Sequence, residues 1–339
     1  MKKELLSQEL QQIDITKFDA RPIIDAYRQT AFQARNLASA ADIYSRMLAD
    51  RDCTVILTLA GSLFSAGLKD IVVEMIRANM VDVIVSTGAV IVDQDFFEAL
   101  GFRHYIGSPV ADDNALREMA IDRIYDTLID EDQLRICDFT TAEIADSLPP
   151  EPHSSRQFIR AMGAYLEEKG VKCKQSVVHA AYVHDVPIFV PAFSDCSAGF
   201  GLVHHQWQHP DRHLTIDSVR DFREITQIKL AVADTGLLML GGGVPKNFTQ
   251  DIVVATDILG ETRPMHKYAV QLTVADERDG GLSGSTLKEA CSWGKVDIKY
   301  EQMVYGEATL TFPLLASDAY HRGAWRQREG KRLGRIFEK

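Results

Sequence analysis

The segment 280–296 has the residue types best suited to chemistry, and its sequence is GGLSGSTLKEACSWGKV. Glycine and serine at its start suit a backbone that approaches a ligand closely. A short helical turn is predicted over 287–292, and Glu289 and Trp293, four residues apart, would share one face of it. With Lys295 they suit binding of a small cation or use of the lysine as a nucleophile. Ordinary surface and packing roles fit the same spacing, so both interpretations stay open.

Length, charge and cysteine usage limit the classes of protein to consider. The 339 residues suffice for one large α/β domain or two ordinary ones. A formal net charge of −11 argues against a nucleic-acid surface and is compatible with cationic ligands. No secretory signal and no apolar run of about 18 residues is present, so we expect a cytoplasmic protein without a membrane partner. Unpaired cysteines predict reduced thiols: Cys53, Cys137, Cys173, Cys196 and Cys291.

Apolar strands that alternate with helices predict an α/β fold with a mostly parallel sheet covered by helices on both faces. The clearest strand is CTVILTL, residues 53–59, and a helix is predicted after it over 65–79. The predicted strands are 53–59, 81–85, 186–192, 236–240, 268–274 and 308–314.

The remaining regions are predicted to be helical or irregular. Residues 1–20 are polar and weakly patterned, which predicts an arm or a docking segment. Apolar residues at helical spacing predict one long helix over 23–48 and a further helix over 245–259. The charged region 112–170 is predicted to be mostly helical. The basic tail, 321–339, is predicted to be a solvated helix or a fraying end.

Four joints between a strand and a helix consist of small residues. In an open parallel sheet such loops lie at the carboxyl ends of the strands, where ligands bind. Helix N-termini at these joints offer free N–H groups that suit a pyrophosphate. None matches G-x-G-x-x-G, so a nucleotide-type ligand and plain tight turns are equal alternatives. The joints are Gly61-Ser62, Thr87-Gly88, Asp195–Gly199 and Gly241–Gly243.

Two further features compare less well with known catalytic or metal-binding patterns. Histidines surround Trp207, and we interpret them as solvated or hydrogen-bonded residues of a loop rather than as a metal site. Ser283 has no G-x-S-x-G context and no His/Asp pattern, so it is a poor candidate for a hydrolase nucleophile. The histidines are His204, His205, His209 and His213.

Several motifs together resemble the deoxyhypusine synthase family. EACSWGKV is similar to the family's E-A-V-S-W-G-K, whose lysine forms a covalent imine, and residues 58–89 are similar to its early strand–helix–strand with the cofactor loop. FSDCSAG resembles T-D-G-S-L-G, LMLGGGVPKNF resembles I-L-G-G-G-V-V-K-H-H, and VYGEATLTFPLL resembles V-Y-A-D-A-S-L-V-F-P-L-L. Order and spacing agree over 55–315.

The resemblance implies a Rossmann-like doubly wound fold and a homotetramer of two tight dimers with active sites at the dimer interface. It implies that NAD takes hydride from spermidine, that the imine loses diaminopropane, and that the butylamine unit passes through the lysine to an acceptor amine before NADH reduces the product. The acceptor is a protein lysine or a small diamine such as putrescine. We expect an N-terminal arm and helix (1–50), a catalytic domain (51–320) and a basic tail (321–339).

The resemblance also implies roles for individual residues. Lys295 is the expected nucleophile. The expected polyamine contacts are Trp293, Glu289, Asn247, Asp93 and Gly280. The expected NAD contacts are Gly61, Ser62, Ser65, Thr87, Gly88, Asp195, Asp279, Ser283, Glu307 and Ala308.

Several positions depart from the family pattern. Phe200 and Leu282 stand where the family has aspartates, Asn247 where it has the active-site histidine, and Asp93-Gln94 where it has a glutamate pair. An ammonium against Phe200 and Leu282 would lack a partner, so we expect a changed donor, acceptor or both. A homospermidine synthase-like enzyme, a non-catalytic NAD-binding relative and a Schiff-base lyase without nicotinamide are the alternatives.

Overall fold

A six-stranded parallel sheet lies at the centre of the protein. The computed structural model describes residues 2–171 and 175–338, so the predicted thiol of Cys173 lies outside the described residues. Cys53, Cys137, Cys196 and Cys291 are free thiols. The strands are β1 (Cys53–Leu59), β2 (Val83–Val85), β3 (Tyr105–Ile106), β4 (Ile121–Ile124), β5 (Thr127–Asp130), β6 (Pro152–His153), β7 (Ile188–Phe189), β8 (Thr215–Ile216), β9 (Asp234–Leu240), β10 (Tyr268–Thr273) and β11 (Glu301–Tyr305).

Helices surround the sheet, and no helix in 2–171 or 175–338 is long and apolar enough to cross a membrane. A π-helical segment, Ala89–Phe96, precedes α5. The α-helices are α1 (Lys2–Leu5), α2 (Arg21–Tyr27), α3 (Phe32–Ala49), α4 (Lys69–Arg77), α5 (Phe97–Ala99), α6 (Asp113–Glu118), α7 (Glu131–Ser147), α8 (Ser155–Lys169), α9 (Val177–His184), α10 (Ser197–Gln208), α11 (Ser218–Ala231), α12 (Gly243–Gln250), α13 (Ile252–Ile258), α14 (Leu287–Ser292) and α15 (Ala308–Arg322).

The central sheet is apolar on both faces, as the near-continuous apolar runs predict. In β1, Val55 and Leu57 pack into the core on one face, whereas Ile56 packs on the other. In β9, Leu238 joins the first core and Leu237 the second. Side chains of neighbouring residues point to opposite faces of a strand, so a continuous apolar run requires cover on both sides. The α/β prediction is confirmed.

The strand order β11-β10-β9-β1-β2-β7 creates a switch point between β1 and β9. The chain winds outward from β1 in one direction and from β9 in the other, so the loops after these two strands diverge and leave a crevice. The loops still touch at their base, where the Ala60 N–H donates to Leu240 O at 3.0 Å. Gly241 has φ of 72°, and a Cβ there would lie 2.7 Å from Ala60 O. A glycine is required at this junction.

Two predictions of single elements are wrong. The long helix over 23–48 is two helices, α2 and α3, with Ala31 extended between them and Phe32 at φ of 56°. The strand over 308–314 is the start of α15, and the edge strand is instead β11. In α15 Phe312, Leu315, Ala316 and Ala319 are buried, a helical spacing of three, four and seven residues that the β-branched run ATLTF obscures.

The region 112–170 is also less helical than predicted, because β4 and β5 form an antiparallel hairpin that joins β3 in a small sheet. Tyr125, at φ of 52°, forms the turn between the two strands. The N-terminal segment is docked on this sheet: Glu9 pairs with Tyr105, and the Lys2 ammonium lies 3.0 Å from Asp130. Ile15 is fully buried. Of the two alternatives predicted for residues 1–20, an arm or a docking segment, these contacts favour a segment that packs on the protein's own small sheet.

The C-terminal tail packs against the core. The prediction that it is a solvated helix or a fraying end is therefore wrong. Arg328 is buried and its guanidinium lies 2.6 Å from the buried Asp82 carboxylate. The same guanidinium donates to the carbonyl oxygens of Cys53 and Asn79 at 3.0 and 3.2 Å. Two short 3₁₀ segments follow α15, and Leu333 in the second is buried. The ion pair thus ties the tail to the base of β1 and β2.

Loss of this ion pair should destabilise the protein. Arg328→Ala leaves the Asp82 carboxylate buried without its partner, so the free energy of unfolding should fall by about 3–5 kcal/mol. Arg326→Ala, which removes an exposed arginine from the same tail, is the matched control and should change the value by less than about 0.5 kcal/mol. Urea denaturation measures both. Equal values for the two variants would contradict the anchoring role of Arg328.

Candidate active site

Lys295 is placed by the end of α14. Thr286 caps the start of this helix through a hydrogen bond from the Glu289 N–H, and Trp293 ends it, so the predicted turn over 287–292 is confirmed. Gly294 then reverses the chain at φ of 70°, and the Lys295 N–H donates to Ala290 O at 3.0 Å. The tight turn holds the lysine backbone against its own helix.

A buried hydrogen-bond chain fixes the backbone of Lys295 from the other side. The His266 N–H donates to Lys295 O at 2.9 Å. The Lys229 ammonium donates to Thr235 Oγ1 at 2.8 Å. The Thr249 carbonyl oxygen can only accept, so the neutral His266 ring carries its proton on Nε2, and Nδ1 accepts from the Thr235 hydroxyl at 2.8 Å. The neutral ring, whose pKa is lowered by burial, then donates from Nε2 to Thr249 O on α12 at 3.2 Å. His266 therefore links the lysine to α12.

The Lys295 ammonium is held by two side chains at the end of α12. Its Nζ lies 2.6 Å from Asp251 Oδ1 and donates to Asn247 Oδ1 at 3.3 Å. Asn247 Nδ2 in turn donates to Asp251 Oδ2 at 2.8 Å, which closes a three-membered ring of contacts. The ammonium also lies 5.3 Å from the centre of the Trp293 ring. The structure thus brings together the predicted residues Lys295, Trp293 and Asn247.

These groups line a cavity of about 610 Å³, the lysine cavity. Asp251 and Glu289 supply its carboxylates, and Gly280, another predicted contact, is on its rim. Apolar side chains form the rest of the wall, among them Phe222, Val254, Ile258 and Leu282. Carboxylates with apolar surface between them suit a molecule with ammonium groups on a methylene chain.

Sequence reasoning missed two charged residues of this site. Asp251 follows Asn247 by four residues at the end of α12, a spacing that places both side chains on one face. Lys246 is buried beneath the cavity, and its ammonium donates to the Ser285 carbonyl and hydroxyl oxygens. Burial lowers the pKa of Lys246 to about 8. Lys246 thereby ties the loop 280–285 to α12.

A second cavity, of about 860 Å³, lies at the switch point between β1 and β9 and is called here the switch-point cavity. A Cβ at Gly242 would lie 2.4 Å from Ser283 Cα, so the absence of a side chain there keeps the loop close. Glu307 caps α15 by accepting a hydrogen bond from the Thr309 N–H at 2.8 Å. Six predicted NAD contacts line this cavity: Gly61, Ser62, Ser65, Ser283, Glu307 and Ala308.

The loop 280–285 separates the two cavities. Ser283 lines the switch-point cavity, whereas Leu282 and Ser285 line the lysine cavity. The loop is fixed because the Gly243 N–H donates to Ser283 Oγ at 3.0 Å and Gln271 Nε2 donates to Ser283 O at 2.9 Å. A ligand in the switch-point cavity is thus one loop away from Lys295.

Other predicted contacts do not line either cavity. Asp93 accepts a hydrogen bond from the Ser197 N–H at the start of α10, at 2.7 Å, and burial raises the pKa of its carboxyl to about 7. Gly88 lies against Cys196, where a Cβ would come within 2.4 Å of the sulfur. The residues that line neither cavity are Asp93, Thr87, Gly88, Asp195 and Asp279.

Of the four histidines near Trp207, His204 and His205 are in α10, so the expectation of a loop is wrong for these two; His209 ends the helix and His213 lies in the loop after it. His205 and His209 are four residues apart and both approach Asp146, at 2.5 and 3.3 Å. His205 Nε2 accepts a hydrogen bond from the Leu214 N–H at 3.0 Å, so Nδ1 carries the proton and donates to Asp146. Both ring nitrogens of His205 are thus engaged in hydrogen bonds, Nδ1 as a donor to Asp146 and Nε2 as an acceptor. This agrees with the interpretation of a hydrogen-bonded histidine. That no metal binds there remains a prediction.

Comparison of the sequence with known proteins shows the family. The sequence model of the deoxyhypusine synthase family matches residues 22–319. A deoxyhypusine synthase-like protein of Coxiella burnetii is 60% identical over 338 residues, which cover 100% of this chain and 96% of that protein. "Probable deoxyhypusine synthase 2" of Methanosarcina mazei is 41% identical over 305 residues, or 90% and 87% of the two chains.

A solved structure shares the fold. The crystal structure of an Entamoeba histolytica protein assigned to deoxyhypusine synthase superposes with a TM-score of 0.62. The match covers 95% of this chain and 99% of the other, at 20% sequence identity. At this identity the likeness concerns the arrangement of the strands and helices.

The raised pKa of Asp93 predicts a pH dependence of stability. Between about pH 4 and 7 the folded protein keeps a proton that the unfolded chain releases, so the free energy of unfolding falls as pH rises, by up to roughly 4 kcal/mol. Asp93→Asn should remove this part of the slope, and Asp211→Asn, an exposed control, should keep it. Urea denaturation across this pH range measures the slope. An unchanged slope in Asp93→Asn would contradict the assignment.

Proposed function

Because the chain belongs to the deoxyhypusine synthase family, we propose that it is an NAD-dependent transferase of 4-aminobutyl groups. Spermidine or a related polyamine is the donor, an imine on Lys295 carries the group, and an amine accepts it. The observation that supports this most directly is the position of Lys295 in a cavity with carboxylates and an indole ring. The family implies a transferase, and a lysine in such a cavity suits covalent imine catalysis.

The lysine cavity supports a polyamine as substrate. Glu289 and Asp251 can each accept hydrogen bonds from an ammonium group. The Trp293 ring, 65% exposed, can cover a methylene chain or face a cation. Asn247 fixes the orientation of Asp251 and can also hold an amine through its carbonyl oxygen. These contacts would hold the carbon next to an amine near Lys295 Nζ.

The switch-point cavity supports a nicotinamide dinucleotide as cofactor. Such a cofactor, when bound, accepts a hydride from the substrate carbon and later returns it. Gly61 and Ser62 would offer backbone N–H groups to a pyrophosphate, and Glu307 a carboxylate to a ribose. Gly242 allows Ser283 to approach closely, so the loop 280–285 would bring a cofactor bound in the switch-point cavity to the edge of the lysine cavity.

The altered amine contacts support a small diamine as acceptor, as in homospermidine formation, over a protein lysine. Leu282 lines the lysine cavity where the family has an aspartate, and Phe200 is 67% exposed on α10. Both changes remove carboxylates with which the family holds amines, which supports an acceptor other than the family's protein lysine. Reduced cysteines agree with a reaction in the cytoplasm, and the four described cysteines are free thiols.

Assembly of two copies around each active site explains the predicted contacts that lie apart from both cavities. The Asp93 carboxylate accepts a hydrogen bond at the start of α10, and Asp195 precedes that helix. A groove of about 290 Å³ on α10 has apolar side chains that include Phe139, Phe200 and Trp207. Trp207 is 82% exposed, and such apolar patches mark protein interfaces. We place this patch at the interface of the tight dimer within a homotetramer, where Asp93 and Asp195 can reach the partner's ligands.

Amine analysis tests the proposed reaction. The protein incubated with NAD, spermidine and putrescine should release diaminopropane and form a longer triamine. Lys295→Ala should lower the rate about a thousandfold or more, because it removes the nucleophile. Lys288→Ala, in the exposed part of α14, is the matched control and should keep the wild-type rate. Amine turnover by Lys295→Ala at the wild-type rate would contradict the proposal.

Light scattering after size-exclusion chromatography tests the assembly. The wild-type protein should have the mass of four chains. Val203→Glu places a charge in the α10 patch and should yield smaller species, because desolvation of an unpaired carboxylate opposes association. Val110→Glu, at an equally apolar but separate exposed site, should leave the mass unchanged. A wild-type monomer, or a tetramer of Val203→Glu, would contradict this interface.

A further inference from the structure

The ion pair between Lys295 and Asp251 poses a chemical problem for a nucleophile. The two groups are 2.6 Å apart, and the lysine side chain is only 12% exposed. An ammonium has no lone pair, so Lys295 cannot attack carbon while it keeps its proton. The Asp251 carboxylate is the partner of that ammonium. Activation of Lys295 therefore requires that Asp251 be taken by another partner.

The geometry of Asp251 suits an exchange of partners. Its backbone is fixed at the junction of α12 and α13, where its N–H donates to Asn247 O at 3.0 Å and its carbonyl accepts from the Ala255 N–H at 2.9 Å. Asn247 Nδ2 holds Oδ2, so Oδ1 alone faces Lys295. The side chain is 30% exposed and lines the lysine cavity. An incoming ammonium can thus reach Oδ1 without moving the carboxylate.

Charged groups near Lys295 favour loss of its proton once Asp251 has exchanged partners. Lys246 is close enough to Lys295 for its charge to act on it, and Glu289 acts on Lys246 in turn. If a substrate ammonium occupies Asp251, Lys295 faces that ammonium and Lys246 without a contacting counter-ion. Like charges and poor solvation disfavour its protonated form. Asn247 cannot accept the proton, because an amide does not titrate in this range.

We propose that Asp251 is a gate for the nucleophile, which a cationic amine opens by taking the place of Lys295. The substrate R–NH₃⁺ pairs with Asp251, the Nζ–H bond of Lys295 breaks, and the proton passes to solvent. The freed lone pair then attacks the carbon of the protonated substrate imine and forms the Nζ–C bond. A second Nζ proton passes to the departing nitrogen, and the amine leaves with the electron pair of the broken C–N bond as the imine on Lys295 forms. Charge balances, because one ammonium enters the site and one proton leaves it. This role rests on the function proposed for Lys295.

The gate assigns a substrate class to the site. A neutral carbonyl compound cannot displace Lys295 from Asp251, whereas a diamine carries the required cation. Asp251 also supplies the amine contact that Phe200 and Leu282 no longer provide. Polyamines are therefore both the substrate and the signal that activates the lysine.

Proton release on amine binding tests the gate in the intact protein. Putrescine added without NAD to the weakly buffered wild-type protein should release about one proton per site near neutral pH, followed with an indicator dye. Asp251→Asn should release none and bind putrescine roughly tenfold or more weakly. Asp257→Asn, an exposed carboxylate on α13, is the matched control and should behave as wild type. Binding of putrescine by the wild-type protein without proton release would overturn the gate.

A neutral aldehyde provides a second test. Loss of Asp251 should speed its reaction with Lys295, whereas the same loss weakens the binding of putrescine. Butyraldehyde with cyanoborohydride should alkylate Lys295 about tenfold faster in Asp251→Asn than in the wild type or in Asp257→Asn, read by peptide mass spectrometry. Equal or slower labelling in Asp251→Asn would overturn the gate and leave the proposed transferase standing if wild-type amine turnover depends on Lys295. Absence of that turnover, with normal proton release, would overturn the transferase alone. Thermal unfolding confirms that each variant is folded.

Discussion

The contact between the Lys295 ammonium and the Asp251 carboxylate is the interaction on which the site depends. It joins two elements that are far apart in sequence, the end of α14 and the junction of α12 with α13. The buried chain from Lys229 through Thr235 and His266 fixes the same two elements from behind. A charged pair that is partly removed from water is costly unless its geometry is held, and the surrounding hydrogen bonds supply this restraint.

The winding of the sheet explains why two cavities meet at this lysine. Reversal of the winding direction between β1 and β9 opens the crevice that becomes the switch-point cavity. The loop 280–285 crosses its edge and is held close by Gly242 and Ser283. A cofactor and an amine would then lie on the two sides of this segment. Hydride transfer between them requires the nicotinamide ring and the amine carbon to meet past the edge of the loop.

Much of the architecture follows from local patterns, whereas the site depends on tertiary contacts. β1, β10 and the turn over 287–292 have continuous apolar runs or clear capping residues, so the sequence predicts them. The start of α15 reads as a strand because its β-branched residues obscure a helical spacing. Asp251 is an unremarkable aspartate until folding places it beside Lys295. The position of Asp93 away from both cavities is likewise invisible in the sequence, because it depends on how α10 packs.

The most direct test of the central claim is the covalent state of Lys295 during the reaction. The wild-type protein is mixed with spermidine and NAD, reduced with cyanoborohydride and digested with a protease. The mass of the peptide that contains Lys295 is then measured by mass spectrometry. The account predicts one aminobutyl group on Lys295 when both compounds are present, and none when either is omitted. An unmodified Lys295 during active turnover, or the same adduct without NAD, would contradict it.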